Sequence, residues 1–136
     1  MNVRVVLMLS LFGLVVGLGS TTGLIPAGWE TAVWAVISLV CAGVLARQAP
    51  GKFFLHGFLT GLISSAIATL LEAAMIGQYL EHNPKAAESF KLLPAISPAV
   101  MIVLMTPVAA AVSGVFTGFV TWLWALMTRP KPAAAA

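Results

Sequence analysis

Residues 5–29, 31–46, 53–71 and 92–128 contain no Asp, Glu, Lys or Arg. That feature excludes an ordinary soluble domain, in which roughly 25% of residues are charged; this 136-residue chain has 8% charged and 60% hydrophobic residues. A hydrocarbon core about 30 Å thick takes about 20 helical residues at 1.5 Å each, so each neutral stretch, with its flanks, can supply one crossing. Hydrocarbon offers the backbone no hydrogen-bond partners, which restricts a crossing segment to a helix or a closed barrel. The alternation at period 2 that barrel strands require is absent. The sequence therefore predicts an all-α fold, an integral membrane four-helix bundle forming one domain over 1–136, with spans near 4–20, 29–47, 53–80 and 97–128.

The few charges orient such a bundle. Arg4 precedes the first span, Arg47 and Lys52 occupy the short second turn, and Arg129 and Lys131 follow the last span. Basic residues in short flanks are retained in the cytoplasm, which predicts that both termini and the turn "ARQAPGK" are cytoplasmic. Glu30, Glu81, Lys85, Glu88 and Lys91 then mark the outer side. Trp29 and Tyr79 fall at the outer interface, and Phe53, Phe54, Trp122 and Trp124 towards the inner one, where amphipathic rings reside. The corresponding location is a bacterial inner membrane, crossed several times. A competing reading makes Met1–Ser20 a cleaved secretory signal, with Arg4 in its basic head, Val5–Val16 as its apolar stretch and small residues before Ser20. Against cleavage, Gly13 and Gly17 have a use in a retained helix.

That use is close packing. Helices in lipid associate through small residues that let backbones approach. The first span offers Ser10, Gly13 and Gly17; the third offers Gly57, Gly61, Ser65, Ala68 and Glu72 at spacings that keep one helix face. The fourth carries Thr106, Ala110, Ser113, Thr117 and Thr121 on one stripe, with Gly114 and Gly118 beside it. "GFLTGL" (57–62) echoes "GVFTGF" (114–119), which chance explains in a chain of this composition. Pro107 removes a helical hydrogen bond, and 96–128 would measure about 50 Å as one helix, so a break or bend is expected there. Pro84–Leu93 reads as a short amphipathic helix on the outer surface, with Phe90, Leu92 and Leu93 toward lipid. The 129–136 tail reads as disordered.

Chemistry-bearing residues are sparse. The seven basic residues are scattered and form no nucleic-acid-binding patch. Cys41 is alone and has no disulfide partner within the chain, so it reads as a small buried side chain. Ionisable groups inside a bilayer default to a functional hypothesis, and Glu72 is the foremost: nine residues before Glu81, it lies about 13 Å along the helix from the polar loop. Two readings stay open for it, a hydrogen-bonded structural carboxyl or a titrating group that carries protons or small cations. His56 is the second candidate, either an interfacial histidine or a haem ligand shared across a homodimer. A dihaem bundle is excluded, because the only other histidine, His82, belongs to the opposite face. No nucleotide-binding, metal-binding or nucleophile motif occurs, and no two carboxylates fall in one pocket on this reading. No catalytic residue, metal or cofactor is therefore assigned, and no enzyme activity.

"GVLARQAPGKFFLHGFLTGLISSAIATL" (43–70) leads from a short basic turn into an F-x-x-G-F-x-x-G-L helix, "YLEHNPKAAES" follows the third span, and a Pro- and Gly-containing last helix ends in "TRPK". This pattern resembles a family of short bacterial four-span membrane proteins, common in Bacteroidetes-like lineages and catalogued as a domain of unknown function. The resemblance implies the fold and the membrane location without an activity. The leading functional expectation is a non-enzymatic membrane protein that acts by helix association, with itself or with a larger membrane complex; Gly13, Gly17, Gly57, Gly61, Ser65, Gly114 and Gly118 are the helix-packing residues, read chiefly as contacts within the one bundle. The alternative is a small homo-oligomeric transporter or ion-coupled carrier that uses Glu72.

Overall fold

The computed structural model describes residues 1–92 and 95–128. Among these it is helical throughout, without strands. Four helical segments are long and apolar enough to cross a membrane: Val3–Thr21, Glu30–Gln48, Phe53–Ala74 and Pro98–Thr128. The first consists of α1 (Val3–Ser10) and α2 (Phe12–Thr21). They meet at Leu11, whose carbonyl accepts the Leu14 N–H at 3.0 Å, a tighter turn than the α-helix makes. The Ser10 hydroxyl donates to the Val6 carbonyl at 2.8 Å. α3 (Glu30–Gln48) has Glu30 in its first turn and Arg47 in its last, both favourable to the helix dipole. α4 (Phe53–Ala74) follows Lys52, which adopts the left-handed conformation (φ 49°) to close the short turn.

The third hydrophobic segment is not one helix over 53–80. α4 ends at Ala74, Met75 leaves helical geometry (φ −109°, ψ 34°), and α5 (Ile76–His82) starts on a new course. The redirected helix packs on α2. Its far end is tied there by Asn83, whose Nδ2 donates to the carbonyls of Ser20 (3.2 Å) and Tyr79 (3.0 Å). The His82 ring lies against Gly23, which has φ +75° and leaves no room for a Cβ. α6 (Pro84–Lys91) begins with proline in its first turn, where a missing N–H costs nothing. Phe90 is half-buried and Leu92 exposed, while Leu93 lies outside the described residues. α7 (Pro98–Thr128) runs unbroken through Pro107, so the expected break does not occur. Pro107 sits on an exposed side of the helix, and beside it the Thr106 hydroxyl donates to the Ile102 carbonyl at 2.9 Å. With 31 residues, α7 is about 46 Å long. The 129–136 tail, with Arg129 and Lys131, lies outside the described residues.

In space the order is α1/α2, α4, α7, α3. α4 and α7 make the most extensive interface. Its glycines meet backbone: a Cβ on Gly61 would come 2.5 Å from the Ser113 carbonyl oxygen, and one on Gly57 2.6 Å from that of Thr117. Reciprocally, Cβ atoms on Gly114 and Gly118 would come 2.8 Å from the carbonyl oxygens of Phe58 and Phe54. The partner numbers fall as the glycine numbers rise, so the two echoing hexapeptides run antiparallel in one register. α1/α2 pack parallel to α4, Gly13 against the Ser64 backbone and Gly17 against that of Ala68. α3 leans on α7 and touches α4 sparsely.

Gly61→Ala and Gly118→Ala should each lower the melting temperature in detergent, by an overpacking cost of about 1–3 kcal/mol. Gly77→Ala is the matched control, since a Cβ there meets nothing within 4 Å. It should leave the melting temperature unchanged or slightly raised. Equal melting for Gly61→Ala and Gly77→Ala would mean that α4 and α7 are not in backbone contact.

Candidate functional site

Because α3 rests on α7 and barely on α4, a cleft of about 530 Å³ opens between the three helices. From α3 it is lined by Glu30, Thr31, Trp34, Ala35 and Ser38, which recur one turn apart and so share a face. α4 supplies Ser65, Ala68, Thr69 and Glu72, and α7 supplies Ala109, Val112, Ser113 and Phe116. At one end the Ser38 and Thr117 hydroxyls are hydrogen-bonded at 3.1 Å, both buried. Below that bond Gly57 and Gly61 fill the space between α4 and α7, and the Trp124 ring reaches Gly43 of α3. The cleft therefore ends at the Ser38–Thr117 bond and has Glu30 at its other end; beyond that bond a separate cavity of about 410 Å³ lies between α3 and Trp124, bordered by Gly43 and Arg47.

Two carboxylates share this space, which corrects the expectation that no pocket holds a pair. Glu30 and Glu72 both line it and act on each other electrostatically. The Glu30 Oε1 atom is buried without a hydrogen-bond partner. No lysine, arginine or histidine lines the cleft, so Lys85 and Lys91 do not close over Glu72. Tyr79, on α5, is close enough to feel both acids: burial first, then the charges of Glu30 and Glu72, push its phenol up, which keeps it an O–H donor at neutral pH. Around the acids stand hydroxyls. That of Thr69 donates to the Ser65 carbonyl at 2.9 Å, leaving its lone pairs to face the cavity as acceptors. The arrangement is acceptor-rich and suited to a positively charged guest.

His56 has a different office. It is 1% exposed, near the start of α4 and at the opposite end of the bundle from the cleft mouth. Nε2 accepts the Asn2 backbone N–H at 2.9 Å, so Nδ1 must be the donor in its 3.0 Å bond to the Lys52 carbonyl. Asn2 in turn caps α1, its Oδ1 accepting the Val5 N–H at 3.4 Å. The histidine thus pins the start of α1 to the turn before α4. Both ring nitrogens are committed to main-chain groups, so a haem iron could bind only by displacing one of them. Cys41 is buried and free.

Of the two candidates singled out in the sequence, Glu72 lines the cleft and His56 does not. Gly13, Gly17, Gly57, Gly61, Gly114 and Gly118 contact other helices of the same chain, and Ser65 borders the cleft. Sequence reasoning missed Glu30, Trp34 and Ser38. Glu30 counts in the sequence only as an outer-side charge heading the second span, although the polar spacing 30, 31, 34, 38 along α3 marks a wet face.

His56→Leu removes an acceptor from Asn2 N–H and should destabilise the fold by about 1–3 kcal/mol, read as a lower melting temperature in detergent. Glu72→Gln should leave that temperature within a degree or two of the parent, since its carboxylate holds no structural bond among the described residues. A large loss for Glu72→Gln would return Glu72 to a structural role.

No family model, curated protein or solved structure matches this chain, so the site is read from its own geometry.

Proposed function

We propose that this chain is a small ion-coupled carrier of a bacterial inner membrane and that the α3–α4–α7 cleft is its cation-binding vestibule. The observation that carries this reading is a cavity of about 530 Å³ that holds Glu30 and Glu72 with no cationic side chain among its lining residues. A proton and a cation compete for one carboxylate, and that competition is the elementary step of an exchanger. Glu72 is the exchanging group; Glu30, with its unpartnered oxygen, is the auxiliary acceptor. The asymmetry of the cleft supports a one-sided opening, with the packed glycine interface as the closed side. With the Arg47 end cytoplasmic, as the basic flanks favour, the vestibule faces outward. Access from the other side requires α3 to move relative to α4 and α7, and its contact with α4 is slighter than its contact with α7.

The alternative of action by helix association rested on small-residue faces left free for a partner. In the fold those glycines are occupied within the chain, where a Cβ would collide with the chain's own backbone. Association would give the acidic cleft no role.

In proteoliposomes containing a pH indicator, an imposed cation gradient should drive an internal pH change with the parent protein and at least ten-fold more slowly with Glu72→Gln. Equal rates would overturn the carrier reading. Orientation is checked separately with Gln48→Cys and Glu88→Cys in a Cys41→Ser background, both positions being exposed. A membrane-impermeant thiol reagent applied to intact cells should label only the Cys that replaces Glu88. Labelling of the Cys at position 48 instead would reverse the topology.

A further inference from the structure

The walls of the cleft say which class of cation enters it. Trp34 is half-buried on one side, and Val112 and Phe116 are exposed on the other. In a span, exposed apolar side chains border lipid, so the mouth between α3 and α7 opens sideways into hydrocarbon as well as toward the Glu30 end. A hydrated inorganic ion does not approach through hydrocarbon. The donor set points the same way: the described residues include no group of three or more His, Cys, Asp and Glu side chains that could hold a metal ion. Hard dications take six or more oxygens at short range, whereas this cavity, at about 530 Å³, falls within the range of small-molecule pockets.

We infer that the cleft takes an amphipathic organic cation, a protonated amine whose ammonium lies between Glu30 and Glu72 and whose apolar body rests on Trp34 and Phe116. The inference rests on the cleft being the cation vestibule proposed above and adds the substrate class. The parts have distinct tasks. The two carboxylates accept ammonium N–H bonds, with the unpartnered Glu30 Oε1 as the acceptor in want of a donor. The indole of Trp34 offers a ring face to the charge and to the apolar body. Thr69, one turn from Glu72, offers a neutral oxygen to a remaining ammonium proton, while Ser65 and Ser113 line the deeper part of the cleft. The Ser38–Thr117 bond sets the depth of entry: from Glu30 to Ser38 is eight residues, about 12 Å of helix, room for an amine with one aromatic ring.

The test uses the full chain in nanodiscs with phenethylammonium as probe, read by tryptophan fluorescence and calorimetry. Three comparators are titrated in parallel: 2-phenylethanol, which has the same body without the charge, tetramethylammonium and rubidium. Phenethylammonium should bind saturably, 2-phenylethanol should neither bind at the same concentrations nor compete, and rubidium should bind at least ten-fold more weakly. Glu30→Gln and Glu72→Gln should each weaken phenethylammonium at least ten-fold, and Trp34→Ala should weaken it more than it weakens tetramethylammonium. The phenylethanol arm needs no variant, so the proposal stays open to refutation even if a substitution harms folding. Equal binding of the alcohol would overturn recognition of the charge. Preference for rubidium would overturn the amine class while leaving the carrier reading intact. Binding of no cation, together with no pH change in the liposomes, would remove both.

Discussion

The rest of the structure depends on the approach of two backbones, α4 and α7, across their glycines. In lipid no hydrophobic gain draws apolar helices together, so association comes from dispersion, weak Cα–H···O contacts and local polarity at short range. Gly57 and Gly61 each face a carbonyl of α7, and Gly114 and Gly118 each face a carbonyl of α4. Because the contact is reciprocal, it fixes distance and register together: slipping by one residue would put Phe58 or Phe54 where a hydrogen now stands. The pair then forms the central interface, with α1/α2 packed on α4 and α3 chiefly on α7.

Polarity is managed by the same economy of distance. Thr21, Thr69, Thr106 and Thr121 each donate to the carbonyl four residues earlier, at 2.7–2.9 Å. Such bonds let a hydroxyl sit in a helix interface without seeking a partner across it. His56 is satisfied by main-chain groups at both nitrogens. Three buried side-chain oxygens among the described residues lack a partner, Ser20 Oγ, Thr60 Oγ1 and Glu30 Oε1, and of these only Glu30 borders the α3–α4–α7 cleft. The contrast is the reason to place function at the Glu30 end and stability at the Arg47 end.

How far each feature could be read from the chain depended on whether its cause was local. Four helices long and apolar enough to cross a membrane follow from neutral length alone, and the contact faces of α4 and α7 follow from small residues at helical spacing, both properties of a single segment. The turn at Met75 has no proline to announce it. It is made worthwhile by Asn83 reaching the Ser20 carbonyl, 63 residues away in sequence, and by His82 settling against Gly23. Pro107 is a local signal for a break or bend, and of these the break does not occur: the helix runs on through it with the proline on an exposed side. Glu72 was conspicuous because it interrupts an apolar run. Glu30 was inconspicuous because a carboxylate at the first turn of a helix is ordinary, and only the placement of α3 beside α4 turns it into half of a pair.

The position of the cleft then follows from the distribution of side-chain size along α3. Toward Arg47, α3 presents Ser38, Cys41, Ala42, Leu45 and Ala46 to its neighbours, all buried, and near them the helix closes on α7 with a hydroxyl pair. Toward Glu30 it presents Trp34 and then Glu30 itself, a bulky ring followed by a charge that cannot be pressed into an apolar seam without losing its solvation. The same helix is thus small enough to pack at one end and too large and too polar at the other. The acidic lining of the cleft and its existence then have one cause: the residues that hold α3 off the bundle at the Glu30 end are those that line the space there.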